Sequence, residues 1–242
     1  MSKSWDKLKE KGKFTSEEVE TFNNNIQGVD IIGIYTDADL VIEAIVENEK
    51  IKTDLFKDLD ARMAKKTILA TNTSSIPVSS LAKELSEDRK SRFLGLHFFN
   101  PAPIMKLVEI IEGHWTDKNL ADDLYKWFDE KGKKPAKCKD SPGFIVNRLA
   151  RNFYGEAFRI IGQEDQTRIK EVDQIMKDVG GFKMGPFELM DLIGIDVNLD
   201  VSTSVWNSFY QEPRFAPHRI QKFMVESGRL GRKTKKGFYD YE

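Results

Sequence analysis

A chain of 242 residues with 38 basic and 39 acidic side chains has a net charge of -1, without the basic excess that nucleic-acid binding requires. Hydrophobic residues make up 40% and charged residues 32%, an ordinary globular balance at a length that supports one large domain or two smaller ones. No apolar run approaches the roughly 18 residues of a membrane helix, the start MSKSWDKLKE has no apolar signal core, and the lone cysteine, Cys138, excludes an intramolecular disulfide; the expectation is a cytoplasmic protein that binds neither membrane nor nucleic acid.

Residues 4–26 read as two helical pieces broken at Gly12. Thr15 is set as an N-cap with Glu18 three residues on, a capping box. The β-branched runs DIIGIY (30–35) and LVIEAIV (40–46) read as strands. In ENEKIKTDLFKDLDARM, Ile51, Leu55, Phe56, Leu59 and Met63 recur at helical spacing. TILATNTSS (67–75) reads as strand then turn, 78–85 as a short helix, and RFLGLHFF and KLVEIIEG as strands around a Pro-rich turn. A helix at 117–131 and the strand KPAKC follow.

Such alternation predicts an open α/β sheet, parallel where the crossovers are helical. Beyond residue 140 the texture changes. SPGFIVNRLARNFYGEAFRII predicts a long amphipathic helix with Pro142 near its first turn and Asn147 one turn inside. Four further helices are expected in IKEVDQIMKDV, GPFELMDLIG, DVNLDVSTSVWNSFY and HRIQKFMVESG. The predicted fold class is therefore α/β followed by all-α, with domains at 1–140 and 141–242.

Two ionisable residues stand out. His97 lies inside FLGLHFF and Glu109 inside KLVEII, where alternate residues share a face. A carboxylate in a buried strand needs a partner. A carboxylate on one imidazole nitrogen would satisfy both groups, fix the tautomer and leave the other nitrogen as a base. Edge exposure of the strands, or a satisfied core histidine, would also account for them. Ser74 in NTSS stands where a strand ends, the usual place for binding loops in α/β sheets. A turn serine is more often a cap, and a helical asparagine such as Asn147 more often faces solvent. The three histidines, His97, His114 and His218, show no metal-ligand spacing, so no metal is expected.

Taken together, LVIEAIVEN, ATNTSS, FLGLHFFNPAPIMKLVEII, DSPGFIVNRL, MGPFELMDLIGID and GRKTKKGFYDY resemble the L-3-hydroxyacyl-CoA dehydrogenase family, which includes the 3-hydroxybutyryl-CoA dehydrogenases. The motifs run in the family's order from about residue 39 to the end. The resemblance implies an NAD-binding Rossmann-like domain, then a helical domain that forms a homodimer and closes over an acyl-CoA substrate. It implies NAD-dependent oxidation of an L-3-hydroxyacyl-CoA to the 3-oxoacyl-CoA, as in β-oxidation. By the same resemblance His97 is the general base, Glu109 its orienting carboxylate, and Ser74 and Asn147 bind the substrate oxygen. Glu47, Lys52, Asn72 and Lys233 match cofactor-side positions, for which helix cap, solvated lysine and turn asparagine are the plainer readings. Asn100 and Pro101 would shape the turn between the two strands. Lys235 stands where the family often has glycine. The Lys-rich start reads as a solvated helix face sooner than as part of a CoA-contacting helix pair.

The family's opening strand and G-x-G-x-x-G turn are not found; among 16 glycines no two make a G-x-G. The expectation is a sheet lacking its first βαβ unit, with LVIEAIV left as an exposed edge, and a chain that by itself binds NAD poorly. A non-catalytic acyl-CoA-binding or dimerisation remnant is the alternative.

Overall fold

A computed structural model of the chain describes residues 5–6, 9–10, 12–29 and 36–242. It divides into two compact units, 1–37 and 38–242. In the first, helix α1 (Ser16–Asn24) starts at the expected capping box: Thr15 Oγ1 accepts from Glu18 N at 3.1 Å and Glu18 returns the bond to Thr15 N at 2.7 Å. The rings of Trp5, Phe14 and Phe22 pack together at 5.2–6.0 Å. The strand expected at 30–35 lies outside the described residues.

The second unit is α/β followed by all-α. Strands β1 (Leu40–Glu43), β2 (Ile68–Thr71), β3 (Phe93–Phe98), β4 (Leu107–Glu112) and β5 (Lys134–Lys139) form a five-stranded sheet in that spatial order. β1, β2 and β3 are parallel, with helices α2 (Glu49–Arg62), α3 (Val78–Ala82) and α4 (Glu87–Lys90) in the crossovers; β4 returns antiparallel to β3, and β5 runs parallel to β4 after α5 (Lys118–Glu130). Among the described residues β1 ends the sheet. It is shorter than LVIEAIV because Ala44 and its successors leave the ladder to begin the loop into α2.

Both faces of the sheet are covered, which is why its strands read as continuous apolar runs. Leu69, Phe93 and Ile111 pack under Phe56, Leu59, Val78 and Leu81, while Ala70, Leu94, Leu96, Val108 and Ile110 meet Ala121, Leu124 and Phe128 of α5. One detail of α2 departs from the periodicity. Ile51 is 47% exposed, and its neighbour Lys52, at 1%, takes the buried position on the stripe with Phe56 and Leu59.

The all-α part holds α6 (Val146–Ile161), α7 (Gln166–Asp178), α8 (Pro186–Ile193), α9 (Ile195–Ser208) and α10 (Arg219–Glu226), around a core that includes Phe158, Ile169, Phe187, Met190, Met224 and Phe238. The predicted start of α6 is corrected. Residues 141–145 form a turn with Gly143 at φ 74° and Phe144 at φ 49°, so Pro142 precedes the helix and Asn147 lies in its first turn.

Several helices begin on a carboxylate borrowed from elsewhere in the chain. Asp140 accepts from Val78 N and Ser79 N at 2.9 and 2.7 Å to open α3, and Asp60 accepts from Ser86 N at 2.7 Å to open α4. Asp173 accepts from Phe187 N and Glu188 N, both at 2.9 Å, to open α8. None of these helices has a hydrogen-bonding cap side chain of its own at the N-cap position. The remote carboxylates satisfy orphan N–H groups and meet the positive end of the helix dipole.

The C-terminal motif wraps a buried aspartate. Asp191 accepts from Phe238 N and Tyr239 N at 3.0 Å and from the Tyr241 hydroxyl at 2.9 Å. Gly237 is required there because a Cβ would stand 2.1 Å from Asp191 Oδ1. Lys235, where the resemblance leads to an expected glycine, sits at φ 58°, a left-handed conformation that costs a residue with a Cβ about 1 kcal/mol. Lys235→Gly is therefore expected to stabilise the protein by about 1 kcal/mol. Gly237→Ala should destabilise it by about 3 kcal/mol or more, since it displaces a carboxylate that satisfies three donors. Urea unfolding of the two variants checks both signs.

Candidate active site

The antiparallel β3–β4 pair puts His97 directly opposite Glu109. Their side chains meet with His97 Nδ1 2.6 Å from Glu109 Oε2, and both residues are buried. The other carboxylate oxygen, Oε1, accepts from Ile145 N at 2.9 Å and Val146 N at 2.8 Å. Glu109 is thus the borrowed carboxylate that opens α6. An ionised carboxylate only accepts, and a neutral ring facing it carries its proton on Nδ1 and presents a lone pair at Nε2. On that side the Ser74 hydroxyl stands 3.1 Å from Nε2. The ring is flanked by Phe99 and Phe144, at centroid distances of 4.6 and 5.9 Å.

Asn147, in the first turn of α6, completes the group. Its Nδ2 reaches the Ser74 carbonyl at 3.4 Å, and Arg151 Nε binds the Asn147 carbonyl at 3.0 Å. His97, Glu109, Ser74 and Asn147, named from widely separated motifs, therefore converge. They do so at the carboxyl ends of parallel strands, where open α/β sheets bind ligands.

Three of the four residues that the resemblance matched to cofactor-side positions lie beside this group. Asn72 Oδ1 accepts from Phe98 N at 2.8 Å, tying the loop after β2 to the end of β3, and its Nδ2 makes no hydrogen bond among the described residues. Glu47 Oε1 accepts from Thr73 Oγ1 at 2.6 Å and from Ser74 N, Ser75 N and Ser75 Oγ, each at 3.0 Å. Lys52 is buried between carboxylates, 2.6 Å from Glu43 and 3.3 Å from Glu47. Lys233 is not brought into this cluster: its ammonium lies on Asp196, at 2.6 and 2.5 Å to the two oxygens.

Sequence reading missed Glu43, Thr73 and Ser75. Glu43 carried the same signal as Glu109, a carboxylate inside an apolar strand, and it is 3% exposed. Besides Lys52 it accepts from Thr71 Oγ1 and Ile45 N, each at 2.7 Å. Cys138 is no candidate nucleophile. Burial, helped by the charges of Glu109, Asp140 and Glu112, pushes its thiol up to about 12.

Burial acts to raise the Glu47 carboxyl, but the bonds from Thr73, Ser74 and Ser75 and the charge of Lys52 together hold it below its ordinary 4.5. A depressed carboxyl contributes stability that is complete above the unfolded value and fades as pH falls through the lower folded value. The stability lost in Glu47→Gln relative to the natural chain should therefore be full at neutral pH and shrink below about pH 4.5. Thermal unfolding of the pair across that range tests it.

Comparison with known proteins places this geometry. Residues 1–141 match the family model described as 3-hydroxyacyl-CoA dehydrogenase, NAD binding domain, and residues 143–241 match 3-hydroxyacyl-CoA dehydrogenase, C-terminal domain. The chain is 45% identical over 232 residues to the 3-hydroxyadipyl-CoA dehydrogenase of Escherichia coli (strain K12), a match covering 96% of this chain and 48% of that protein. It is 40% identical to the mitochondrial hydroxyacyl-coenzyme A dehydrogenase of Sus scrofa, covering 98% of this chain and 74% of that one. The chain thus spans about half the length of the first relative and about three quarters of the second. Among solved structures, the 3-hydroxybutyryl-CoA dehydrogenase of Escherichia coli K12 superposes with a TM-score of 0.91 at 41% identity, over 99% of this chain and 50% of that one. The (S)-3-hydroxybutyryl-CoA dehydrogenase of Ralstonia eutropha superposes with a TM-score of 0.89 at 36% identity, over 100% and 84%. Matched in order along both its α/β and its helical parts, the chain belongs to the 3-hydroxyacyl-CoA dehydrogenase family.

Proposed function

We propose that this chain oxidises an L-3-hydroxyacyl-CoA to the 3-oxoacyl-CoA with NAD. The observation that carries the reading is the imidazole of His97, held at Nδ1 by Glu109 and met at Nε2 by Ser74. Nε2 takes the proton of the 3-hydroxyl, with Ser74 and Asn147 supplying the hydrogen bonds that orient the substrate oxygen. Glu109 stabilises the imidazolium as it forms and stops the ring from turning. It is itself kept in place by two backbone N–H groups.

The residues fit a nicotinamide-bearing partner. Asn72 offers an amide N–H₂ beside the half-buried Ser74, and the parallel strands open toward the same place. Asn72 and Glu47 would hold it, with the buried Lys52 behind Glu47, while Lys233 lies apart on Asp196. NAD, when bound, supplies the acceptor for the hydride leaving substrate C3.

The same proposal divides the chain near residue 140 into a cofactor part and a helical part that forms a homodimer. Ile160 on α6 and Ile175 on α7, with Val179 just beyond, are apolar and well exposed. It also sets the protein in the cytoplasm, working in fatty-acid breakdown. Among the described residues no helix is long and apolar enough to cross a membrane.

Oxidation of NADH by acetoacetyl-CoA, followed with the purified chain, tests the activity. His97→Gln is expected to lower kcat by about 10²–10⁴-fold, the usual worth of a positioned acid–base group, and Glu109→Gln by a smaller factor. A His97→Gln rate within tenfold of the natural chain would sink the assignment. Acyl-CoA affinity with neither NADH binding nor turnover would favour a non-catalytic binding module.

A further inference from the structure

We propose that the buried Glu43–Lys52 pair is the positioning device of the active-site loop: Glu43 places Lys52, Lys52 places Glu47, and Glu47 sets Ser74 against His97. The inference rests on the reading of Ser74 and His97 as the pair that handles the substrate oxygen.

Position 52 lies on the buried stripe of α2 with Phe56 and Leu59, where a leucine would pack without an ionic partner. Burying an ammonium there is costly, and such a pair is rarely better for stability than apolar packing. What the charge adds is geometry. Lys52 Nζ sits 2.6 Å from Glu43 Oε1 and 3.3 Å from Glu47 Oε2, and Glu43 is itself fastened by Thr71 Oγ1 and Ile45 N. Glu47 is the movable member, its side chain 38% exposed.

With one oxygen turned to Lys52, its other oxygen gathers four donors from Thr73, Ser74 and Ser75. The ends of this loop are held independently, by Asn72 on Phe98 N and by Asp140 on Val78 N and Ser79 N. The stretch that carries the Ser74 hydroxyl is held chiefly by the four donors on Glu47, beside Asn147 Nδ2 on the Ser74 carbonyl and Thr73 Oγ1 on Ser75 N and Ile76 N. Without Lys52 that carboxylate loses its cationic neighbour and is free to turn to water, releasing the Ser74 N–H. Lys52 and Glu43 are thus positioning residues, acting through Glu47.

The test reads the imidazole directly and needs no turnover. The full chain is labelled with ¹⁵N-histidine, and the His97 resonances are identified by their loss in His97→Gln. Ser74→Ala supplies the Nε2 resonance of a ring without its hydroxyl partner. In Lys52→Met the Nε2 resonance is expected to move at least half of the way to that position, while Nδ1, bonded to Glu109, stays in place. A purely structural role for Lys52 would lower stability and leave Nε2 where it was, and that result overturns the proposal. Should Lys52→Met fail to fold, Glu43→Gln/Lys52→Met, which removes both buried charges, and Glu47→Gln, at the half-exposed end, give the same reading. An unmoved Nε2 in either overturns it equally. A natural chain that shows the Ser74–His97 signature but no dehydrogenase activity counts against the proposed function and leaves this inference standing.

Discussion

The carboxylate of Glu109 is the constraint on which the rest of the site depends. It is fully buried, and its two oxygens act separately, one orienting His97 and the other starting α6 at Ile145 and Val146. A buried carboxylate is tolerable only when its lone pairs are taken up. Here the donors come from the neighbouring strand and from the first helix of the all-α part. The same satisfaction that makes burial possible also joins the sheet to the helix that brings Asn147 to Ser74. Chemistry and architecture share one side chain.

The fold repeats this device. Asp140, Asp60 and Asp173 each open a helix that lacks a capping side chain of its own, and Asp191 fastens the C-terminal motif through two backbone N–H groups and a tyrosine hydroxyl. Local capping would fix only where a helix begins. A carboxylate reaching from a distant part of the chain also fixes what the helix begins against, and so couples secondary structure to tertiary placement. Burial raises the Asp173 and Asp191 carboxyls even so, because their donors do not fully repay desolvation. Glu47 goes the other way, since the bonds from Thr73, Ser74 and Ser75 and the charge of Lys52 outweigh its desolvation.

From Thr71 on β2 a continuous set of polar contacts runs through Glu43, Lys52, Glu47 and the 73–75 loop to Ser74, then across His97 to Glu109 and the start of α6. Low local dielectric strengthens such contacts and penalises any member left unpaired. The site is thereby preorganised at both imidazole nitrogens. Each nitrogen meets a partner from a different element, Glu109 on a strand at Nδ1 and Ser74 on a loop at Nε2.

Much of this was legible in the residues alone. Apolar runs and helical spacing located the strands and the longer helices to within a few residues, though not the short α4, because local hydrophobic period and capping chemistry act over short distances. His97 and Glu109 were legible because two strands joined by a Pro-rich turn were expected to pair, and a strand carboxylate needs a partner. What sequence could not decide was which residue of α2 faces inward. Ile51 fits the helical period, yet Lys52 is buried, because Glu43 and Glu47 arrive from other elements to receive it. Nor could it decide that α6 begins at Val146 in place of Pro142, since that start is set by Glu109 from 36 positions away. Lys233, matched by motif to the cofactor side, is paired with Asp196, a partner that only folding of the helical part supplies. Sequence by itself determined the elements and the chemical types at the site; the tertiary structure decided which charges meet, because ion pairing depends on distances that no local pattern encodes.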